Sequence, residues 1–310
     1  MPLYEAEPIT LLNGRIRGVA LLPPDPGDAP LIVHLHGGAS DHRESIDGPT
    51  SQLRLEAAQG FPSISLDRPG YGNSRPLPVE PRSESGLYLR QAECLIDALT
   101  DLWRQHAGGS RGIMLHGCSV GAAVSLHIGA QWTTLNTQGK PPRPLLGVIS
   151  TDIGHVARSE VADVWRGTSV VDVIPDVRDD IAALDFGPTW ARFHLPCHNR
   201  PLTLPRAESL ESAIGWPDEG LQIAASVGVP AYWRLAEFDP LWVASTRVAE
   251  EFAAALRTRS PHVDAGVLHG ATHAINGGPL GRHLALSTIA FAELCRAGAE
   301  TPQILNPSAR

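Results

Sequence analysis

The sequence predicts an α/β protein whose mostly parallel sheet is covered by helices on both faces. From Leu31 onward, short apolar runs alternate with longer amphipathic stretches, which is the pattern of successive βαβ units. Hydrophobic residues make up 43% of the 310 residues, enough for a large core. The 27 prolines leave the stretches 82–140, 241–260 and 280–301 free, so regular elements can continue there.

The N-terminal part predicts an antiparallel edge followed by the first parallel strands. Residues 8–22 read as two strands around Asn13-Gly14, a strong signal for a two-residue hairpin turn. A buried strand is predicted over 31–36 and another over 61–66, with a helix over 51–59 between them.

Regular elements are also predicted through the middle and the end of the chain. An apolar face at three- and four-residue spacing indicates a long helix over 83–105. The remaining predicted elements are strands at 112–116, 145–150, 231–235 and 263–268, helices at 120–132, 242–255 and 280–295, and a frayed tail from Gly298.

A proline-dense stretch predicts an insertion in this pattern. Six prolines lie between Val173 and Asp218, which favours short helices and loops. We therefore predict a core formed by residues 1–153 and 216–310, interrupted by an inserted segment over 154–215.

Composition narrows the class of protein. Because the net charge is −8, we do not expect the protein to bind nucleic acid. The N-terminus has no apolar signal segment, and no apolar run approaches the ~18 residues of a membrane span. The four cysteines lie far apart, without the spacing of a zinc or redox motif. We expect a cytoplasmic protein with no membrane partner, and a homodimer stays an open alternative.

The sharpest chemical signal is Gly117-Cys118-Ser119-Val120-Gly121, which lies between a predicted strand and a predicted helix. A serine on such a turn projects its hydroxyl above the sheet, and small residues on either side let strand and helix approach each other. We interpret Ser119 as a nucleophile. The alternative is a plain glycine-rich turn. Cys118 occupies the position before the turn's tip, so we interpret it as structural.

With three further motifs, the chain from about Pro8 to about Arg296 resembles the α/β-hydrolase family. These motifs are His36-Gly37-Gly38-Ala39 after a strand, Asp67-Arg-Pro-Gly-Tyr-Gly-Asn-Ser74 after the next strand, and Gly270-Ala-Thr-His273 after the last strand. The resemblance implies the α/β-hydrolase fold, a mostly parallel doubly wound sheet. It also implies that residues 154–215, between the sixth and seventh strands, form a helical cap. Many members carry His where this chain has Cys118.

In this fold the catalytic groups follow the chain order Ser, then Asp or Glu, then His. The best candidates are Ser119, Asp239 as the orienting acid and His273 as the base. His269 is a competitor for the base, and Glu237 and Asp152 are competitors for the acid. Asp239 also has the alternative role of a helix N-cap.

The resemblance also implies an oxyanion hole and a substrate pocket. By position, the oxyanion donors are the backbone N–H groups of Gly38 and Val120. The alternative for the Gly37-Gly38 pair is a tight turn without a catalytic role. Aromatic residues of the cap are candidates for lining the pocket or for filling the cap's own core: Trp165, Trp190, Phe193 and Trp216.

These residues predict a serine hydrolase (class EC 3.1) that cleaves an ester, thioester or related acyl bond of a small molecule. No metal or organic cofactor is expected. A serine nucleophile counts against epoxide hydrolysis and dehalogenation, which use a carboxylate in this fold. The alternatives are acyl transfer, carbon–carbon bond hydrolysis or a lyase reaction on the same triad, and a ligand receptor with slow turnover.

Overall fold

The computed structural model of the protein describes residues 5–47, 50–77, 86–139, 144–159, 161–163 and 206–301. The strands are β1 (Glu7–Leu11), β2 (Ile16–Leu21), β3 (Leu31–Leu35), β4 (Ser63–Leu66), β5 (Ile113–Cys118), β6 (Leu145–Thr151), β7 (Ala231–Phe238) and β8 (Val263–Thr272). The helices are α1 (Gln52–Ala58), α2 (Leu87–His106), α3 (Val120–Thr137), α4 (Arg206–Leu210), α5 (Trp216–Ser226), α6 (Thr246–Leu256) and α7 (Gly281–Glu300). Among these residues, no helix has the length and apolar character needed to cross a membrane.

The described strands form one eight-stranded sheet in the order β1-β2-β4-β3-β5-β6-β7-β8. β1 pairs with β2 and β2 with β4 in antiparallel fashion, and every other pair is parallel. The predicted α/β class, mostly parallel sheet and antiparallel edge are confirmed. The carboxyl ends of the parallel strands therefore lie along one edge of the sheet.

Alternating side chains of the strands contribute to two large hydrophobic cores, one on each face of the sheet, and Leu21 of β2 belongs to a third, small cluster with Ile46, Leu53 and Ala57. On β3, Val33 packs into the larger core with residues of α2, α3, α5 and α6, whereas the neighbouring Ile32 packs into the smaller core with residues of α7. On β7, Trp233 and Tyr232 divide in the same way. This period of two explains why strands buried on both faces read as continuous apolar runs.

Several predicted boundaries differ from the structure, and two of these differences have a local reason. The hairpin turn between Leu11 and Ile16 has four residues rather than two, and its Leu12 and Asn13 adopt positive φ. Helix α6 begins at Thr246 instead of Trp242, because the Ser245 hydroxyl caps it by accepting from the Val248 N–H.

The chain between β6 and β7 is described only in part. The predicted cap, residues 154–215, falls largely on 164–205, which lie outside the described residues. The chain is helical from Arg206 through a π-helical turn, Glu211–Gly215, into α5. The predicted boundary at residue 216 lies within this helical run.

Two strand glycines provide a matched test of the sheet's close contacts. A Cβ on Gly18 of β2 would lie 2.2 Å from the Ser65 carbonyl oxygen, whereas a Cβ on Gly266 of β8 would meet nothing within 4 Å. We expect Gly18→Ala to lower the free energy of unfolding by about 1–3 kcal/mol. Gly266→Ala should be neutral or stabilising by about 0.5–1 kcal/mol. Urea unfolding measures both, and equal effects would contradict the described packing.

Candidate active site

Ser119 lies at the carboxyl edge of the sheet, between the last residue of β5 and the first residue of α3. Its φ of 52° and ψ of −120° are strained for a non-glycine residue. Its N–H donates to the Thr151 carbonyl of β6 at 2.8 Å, which ties the turn to the neighbouring strand. The serine is therefore held in one strained conformation by the elements around it.

Two glycines make this turn possible. A Cβ on Gly117 would lie 2.2 Å from the carbonyl oxygen of Gly121, and a Cβ on Gly121 would lie 2.1 Å from the carbonyl oxygen of Leu35. These neighbours are backbone atoms, which cannot move aside as a flexible side chain can. Any larger residue at either position would push α3 away from β3 and β5.

His273 bridges Ser119 and Asp239. Its Nε2 lies 3.1 Å from the Ser119 Oγ, and its Nδ1 lies 2.9 Å from Asp239 Oδ2. Because the carboxylate can only accept at neutral pH, Nδ1 carries a proton and Nε2 faces the hydroxyl. The structure thus brings these three residues into one hydrogen-bonded line.

Asp239 is fixed by the turn that follows β7. Its Oδ1 accepts from the backbone N–H groups of Leu241 at 2.8 Å and Trp242 at 3.1 Å. These contacts leave Oδ2 directed at His273. The side chain caps this turn, whereas Ser245 caps the helix.

The competing residues take other positions. His269 is 83% exposed and pairs with Glu237 on the surface, and Glu237 also accepts from the Gly270 N–H at 2.8 Å. Asp152 is fully buried behind the site, where it contacts the Cys118 Sγ at 3.5 Å and accepts from the Ile275 N–H at 3.3 Å.

Asp152 gives the site a second carboxyl group within 4.8 Å of the ligand atoms of Asp239 and His273. Burial raises the pKa of Asp152 to about 7, helped by the charge of Asp239 and opposed by that of His273. The sequence placed Asp152 only as a competitor for the acid, since chain order does not reveal that both carboxyls approach the same imidazole.

Sequence reasoning missed a third carboxylate, Glu44. It lies in a short 3₁₀ turn, His42–Ser45, and accepts from the Gly37 N–H at 3.1 Å. Only 9% of this residue is exposed. An acidic residue nine positions after the last residue of β3 carries no signal of its own, because its approach to Gly37 depends on how the loop folds back.

The three carboxylates set the proton affinity of His273. Burial lowers the pKa of His273, but the charge and hydrogen bond of Asp239 and the charges of Asp152 and Glu44 together raise it to about 9. The imidazole is thus a strong base that holds its proton at neutral pH. It becomes free to accept the Ser119 proton as the pH rises toward 9.

The predicted oxyanion residues are Val120, which follows Ser119 directly in the chain, and Gly38, which belongs to the loop after β3. A Cβ on Gly37 would be 3.3 Å from the Ser119 Cβ, so the loop that continues to Gly38 packs against the serine. Val120 is the first residue of α3, and the N–H groups of a first helical turn have no intrahelical acceptor. In the described part of the chain, neither the Gly38 nor the Val120 N–H donates to a protein atom.

Of the four aromatic residues predicted to line a pocket, Trp165, Trp190 and Phe193 lie outside the described residues. Trp216 is fully buried in the larger core. Its indole N–H donates to the Gly154 carbonyl at 2.6 Å, and its ring lies 6.5 Å from that of Phe252. The structure therefore does not bring Trp216 to the triad.

Three clusters of described side chains have the ligand types of a metal site: His34, Glu56 and His116; Asp41, His42 and Asp67; and Asp152, Asp239 and His273. Each already contains a short hydrogen bond. His34 Nε2 lies 2.8 Å from Glu56 Oε2, and His42 Nδ1 lies 2.8 Å from Asp67 Oδ1. These hydrogen bonds pair two of the three side chains in each of the first two clusters.

Comparison with known proteins gives a likeness in structure only. No family model matches the sequence. No curated protein matches it either. A carboxyl esterase from Bacillus coagulans aligns over 96% of this chain and 100% of its own, with 16% identity and a TM-score of 0.64.

Two further solved structures align as completely. DcsB in complex with its substrate analogue covers 96% of this chain and 100% of its own, with 16% identity and a TM-score of 0.66. The α/β hydrolase GrgF from Penicillium sp. sh18 covers 95% and 99%, with 16% identity and a TM-score of 0.64. The chain has the α/β-hydrolase fold.

The α/β-hydrolase fold explains why residues far apart in sequence converge here. Ser119 follows β5, Asp239 follows β7, and His273 follows β8. All three strands are parallel, so their carboxyl ends lie at the same edge of the sheet. The His36–Gly38 loop reaches this edge from β3, which neighbours β5.

The charges around His273 can be tested without an activity assay. Removing the carboxylate in Asp152→Asn should lower the pKa of His273 from about 9, because the protonated imidazole loses a stabilising negative charge. NMR titration of the histidine ring resonances, assigned with His273→Gln, measures this shift. Glu250→Gln, a change at a 69% exposed side chain on α6, is the matched control. An unchanged His273 pKa in Asp152→Asn would contradict the electrostatic account.

Proposed function

We propose that the protein is a serine hydrolase that cleaves an ester, thioester or related acyl bond of a small molecule. The observation that carries this proposal is the continuous hydrogen-bonded line from Asp239 through His273 to Ser119, with distances of 2.9 and 3.1 Å. A serine hydroxyl is a weak nucleophile, and an adjacent base held by an acid is the arrangement that activates it.

In the first half of the proposed reaction, Ser119 Oγ attacks the carbonyl carbon while its proton passes to His273 Nε2. The backbone N–H groups of Gly38 and Val120 stabilise the negative oxygen of the tetrahedral intermediate, and each such donor is worth roughly 3–4 kcal/mol. Collapse of the intermediate breaks the bond to the alcohol or thiol, which leaves with the proton from His273. Asp239 stabilises the imidazolium between these two transfers.

In the second half, water attacks the acyl group on Ser119 and gives a proton to His273. The second tetrahedral intermediate collapses to release the acid, and the proton returns to Ser119 Oγ. These steps use only groups of the chain and water. Because His273 must be neutral to start either half, the reaction should accelerate as the pH rises toward its pKa of about 9.

The fold and its relatives support the same class of reaction. A carboxyl esterase and an α/β hydrolase share the architecture. A hydroxyl at the turn after β5 favours acyl chemistry over reactions that need a carboxylate nucleophile. We also propose that the segment 154–215 covers the substrate, since it leaves the core after β6 at the edge of the sheet that holds the triad.

Labelling tests the nucleophile directly. A fluorophosphonate should attach to the Ser119 peptide and to no other, as read by mass spectrometry after digestion. Ser119→Ala should lower kcat for p-nitrophenyl esters by at least about 10⁴-fold, because the covalent route is lost. Ser125→Ala, a serine in α3 outside the line of three residues, is the control. Label on a peptide other than that of Ser119, or full activity in Ser119→Ala, would contradict the proposal.

The same assay separates hydrolysis from its rivals. A hydrolase gives steady turnover after acylation, whereas a receptor gives a stoichiometric burst and little afterwards. An added alcohol that increases the rate of nitrophenol release and yields a new ester would indicate acyl transfer instead.

Replacing each acid in turn identifies the one that orients His273. Asp239→Asn should lower kcat by about 10⁴-fold, because the amide supports the wrong tautomer of the imidazole. Asp152→Asn should lower kcat by less than about tenfold, since Asp152 lies behind the site and does not hold Nδ1. Steady-state kinetics near pH 9 compares the two variants. If Asp152→Asn lowers kcat more than Asp239→Asn does, the orienting acid is Asp152, which follows β6, and the proposed role of Asp239 is wrong.

A further inference from the structure

Arg68 is a fully buried cation that the proposed chemistry does not use. It lies in the loop after β4, within the Asp67–Ser74 motif. All of its side-chain nitrogens have hydrogen-bond partners, as the burial of a guanidinium requires. These partners fall into two groups, one on each side of the guanidinium.

On one side, Arg68 holds the loop that carries the predicted oxyanion donor. Its Nε donates to the His36 carbonyl at 2.9 Å, and its Nη2 donates to the Gly37 carbonyl at 2.9 Å. The Arg68 backbone N–H donates to His36 Nε2 at 3.0 Å, so the proton of the neutral imidazole is on Nδ1. His36 Nδ1 then donates to the same Gly37 carbonyl at 2.7 Å.

On the other side, Arg68 binds helix α4, where the described chain resumes after residue 205. Both guanidinium Nη atoms contact the Glu208 carboxylate, at 2.9 and 3.0 Å. Glu208 is itself fully buried and also accepts from the Tyr71 hydroxyl at 2.7 Å and from the Gln91 amide at 3.2 Å. The guanidinium group of Arg68 is thus held in a single orientation.

The geometry of the peptide bond connects the contacts of Arg68 with the orientation of the predicted oxyanion donor, the Gly38 N–H. The C=O and N–H of a trans peptide unit point in opposite directions. Because Arg68 and His36 hold the Gly37 carbonyl, they also direct the Gly38 N–H away from themselves. The Gly37 N–H is held separately by Glu44. The segment beside Ser119 is therefore restrained on both peptide planes.

We infer that Arg68, anchored by Glu208, is a positioning residue that orients the Gly38 N–H toward the oxyanion. This inference rests on the proposed function. Arg68 links the oxyanion loop to α4 through Glu208, which lies 140 residues after Arg68 in the chain, so α4 supports the site. Arg68 acts through the loop and touches no reacting atom.

Arg68→Lys tests the inference, because lysine keeps the charge beside Glu208 but cannot bind two carbonyls and a carboxylate with one planar fork. The final extent of fluorophosphonate labelling at Ser119 counts the folded sites, and kcat is expressed per labelled site. We expect kcat per site for a p-nitrophenyl ester to fall at least about tenfold, toward the 10²–10³-fold loss of an oxyanion donor. KM should not change. Glu208→Gln should show a smaller fall in the same direction.

Arg234→Lys is the matched control. Arg234 also donates to two carbonyls, those of Trp233 and Asp264, pairs with the Asp264 carboxylate and lies over a tyrosine ring. It is half-buried on β7 and makes no contact with the loop after β3 among those that the structure gives for it. Its kcat per labelled site should equal that of the wild type.

Three results would overturn the inference. These are a wild-type kcat per site in Arg68→Lys, an equal loss in Arg234→Lys, or a rise in KM alone. If Arg68→Lys yields no labelled protein, Glu208→Gln decides by the same measurement. Failure of the wild type to label at Ser119 refutes the proposed function itself, and the inference falls with it.

Discussion

The site depends on the close approach of three backbones at the turn between β5 and α3. Gly117 and Gly121 leave no room for a Cβ against the turn and against β3. This approach forces Ser119 to a φ of 52°, a conformation that the surrounding packing must stabilise at a cost of about 1–3 kcal/mol. In this backbone conformation, the Ser119 hydroxyl projects from the edge of the sheet and the N-terminus of α3 lies behind it.

The imidazole of His273 sits among three carboxylates whose contributions differ. Asp239 holds it by a hydrogen bond, whereas Asp152 and Glu44 act through their charges. Their combined effect outweighs burial and favours the imidazolium, which is the state formed transiently in acyl transfer. The same stabilisation reduces the fraction of free base at neutral pH. At neutral pH the site thus favours the imidazolium of His273 over its neutral imidazole.

The loop after β3 is restrained by groups from several parts of the chain. Glu44 holds the Gly37 N–H, and a neutral His36 and a charged Arg68 hold its carbonyl. Burial and the nearby charge of Arg68 keep the pKa of His36 well below its usual value, so the ring can accept at Nε2 and donate at Nδ1. The buried ion pair between Arg68 and Glu208 has a large desolvation cost, which the many hydrogen bonds of both groups offset.

The sequence by itself determined the layered α/β class, the order of the elements and the positions at strand ends where polar residues could meet. These features follow from local patterns of hydrophobicity and turn residues. The tertiary structure decided which of these residues do meet. It brought Asp239 to His273 and left Asp152 behind the site, and it added Glu44 and the contact between Arg68 and Glu208. No local pattern specifies such contacts, because they depend on how segments far apart in the chain pack against each other.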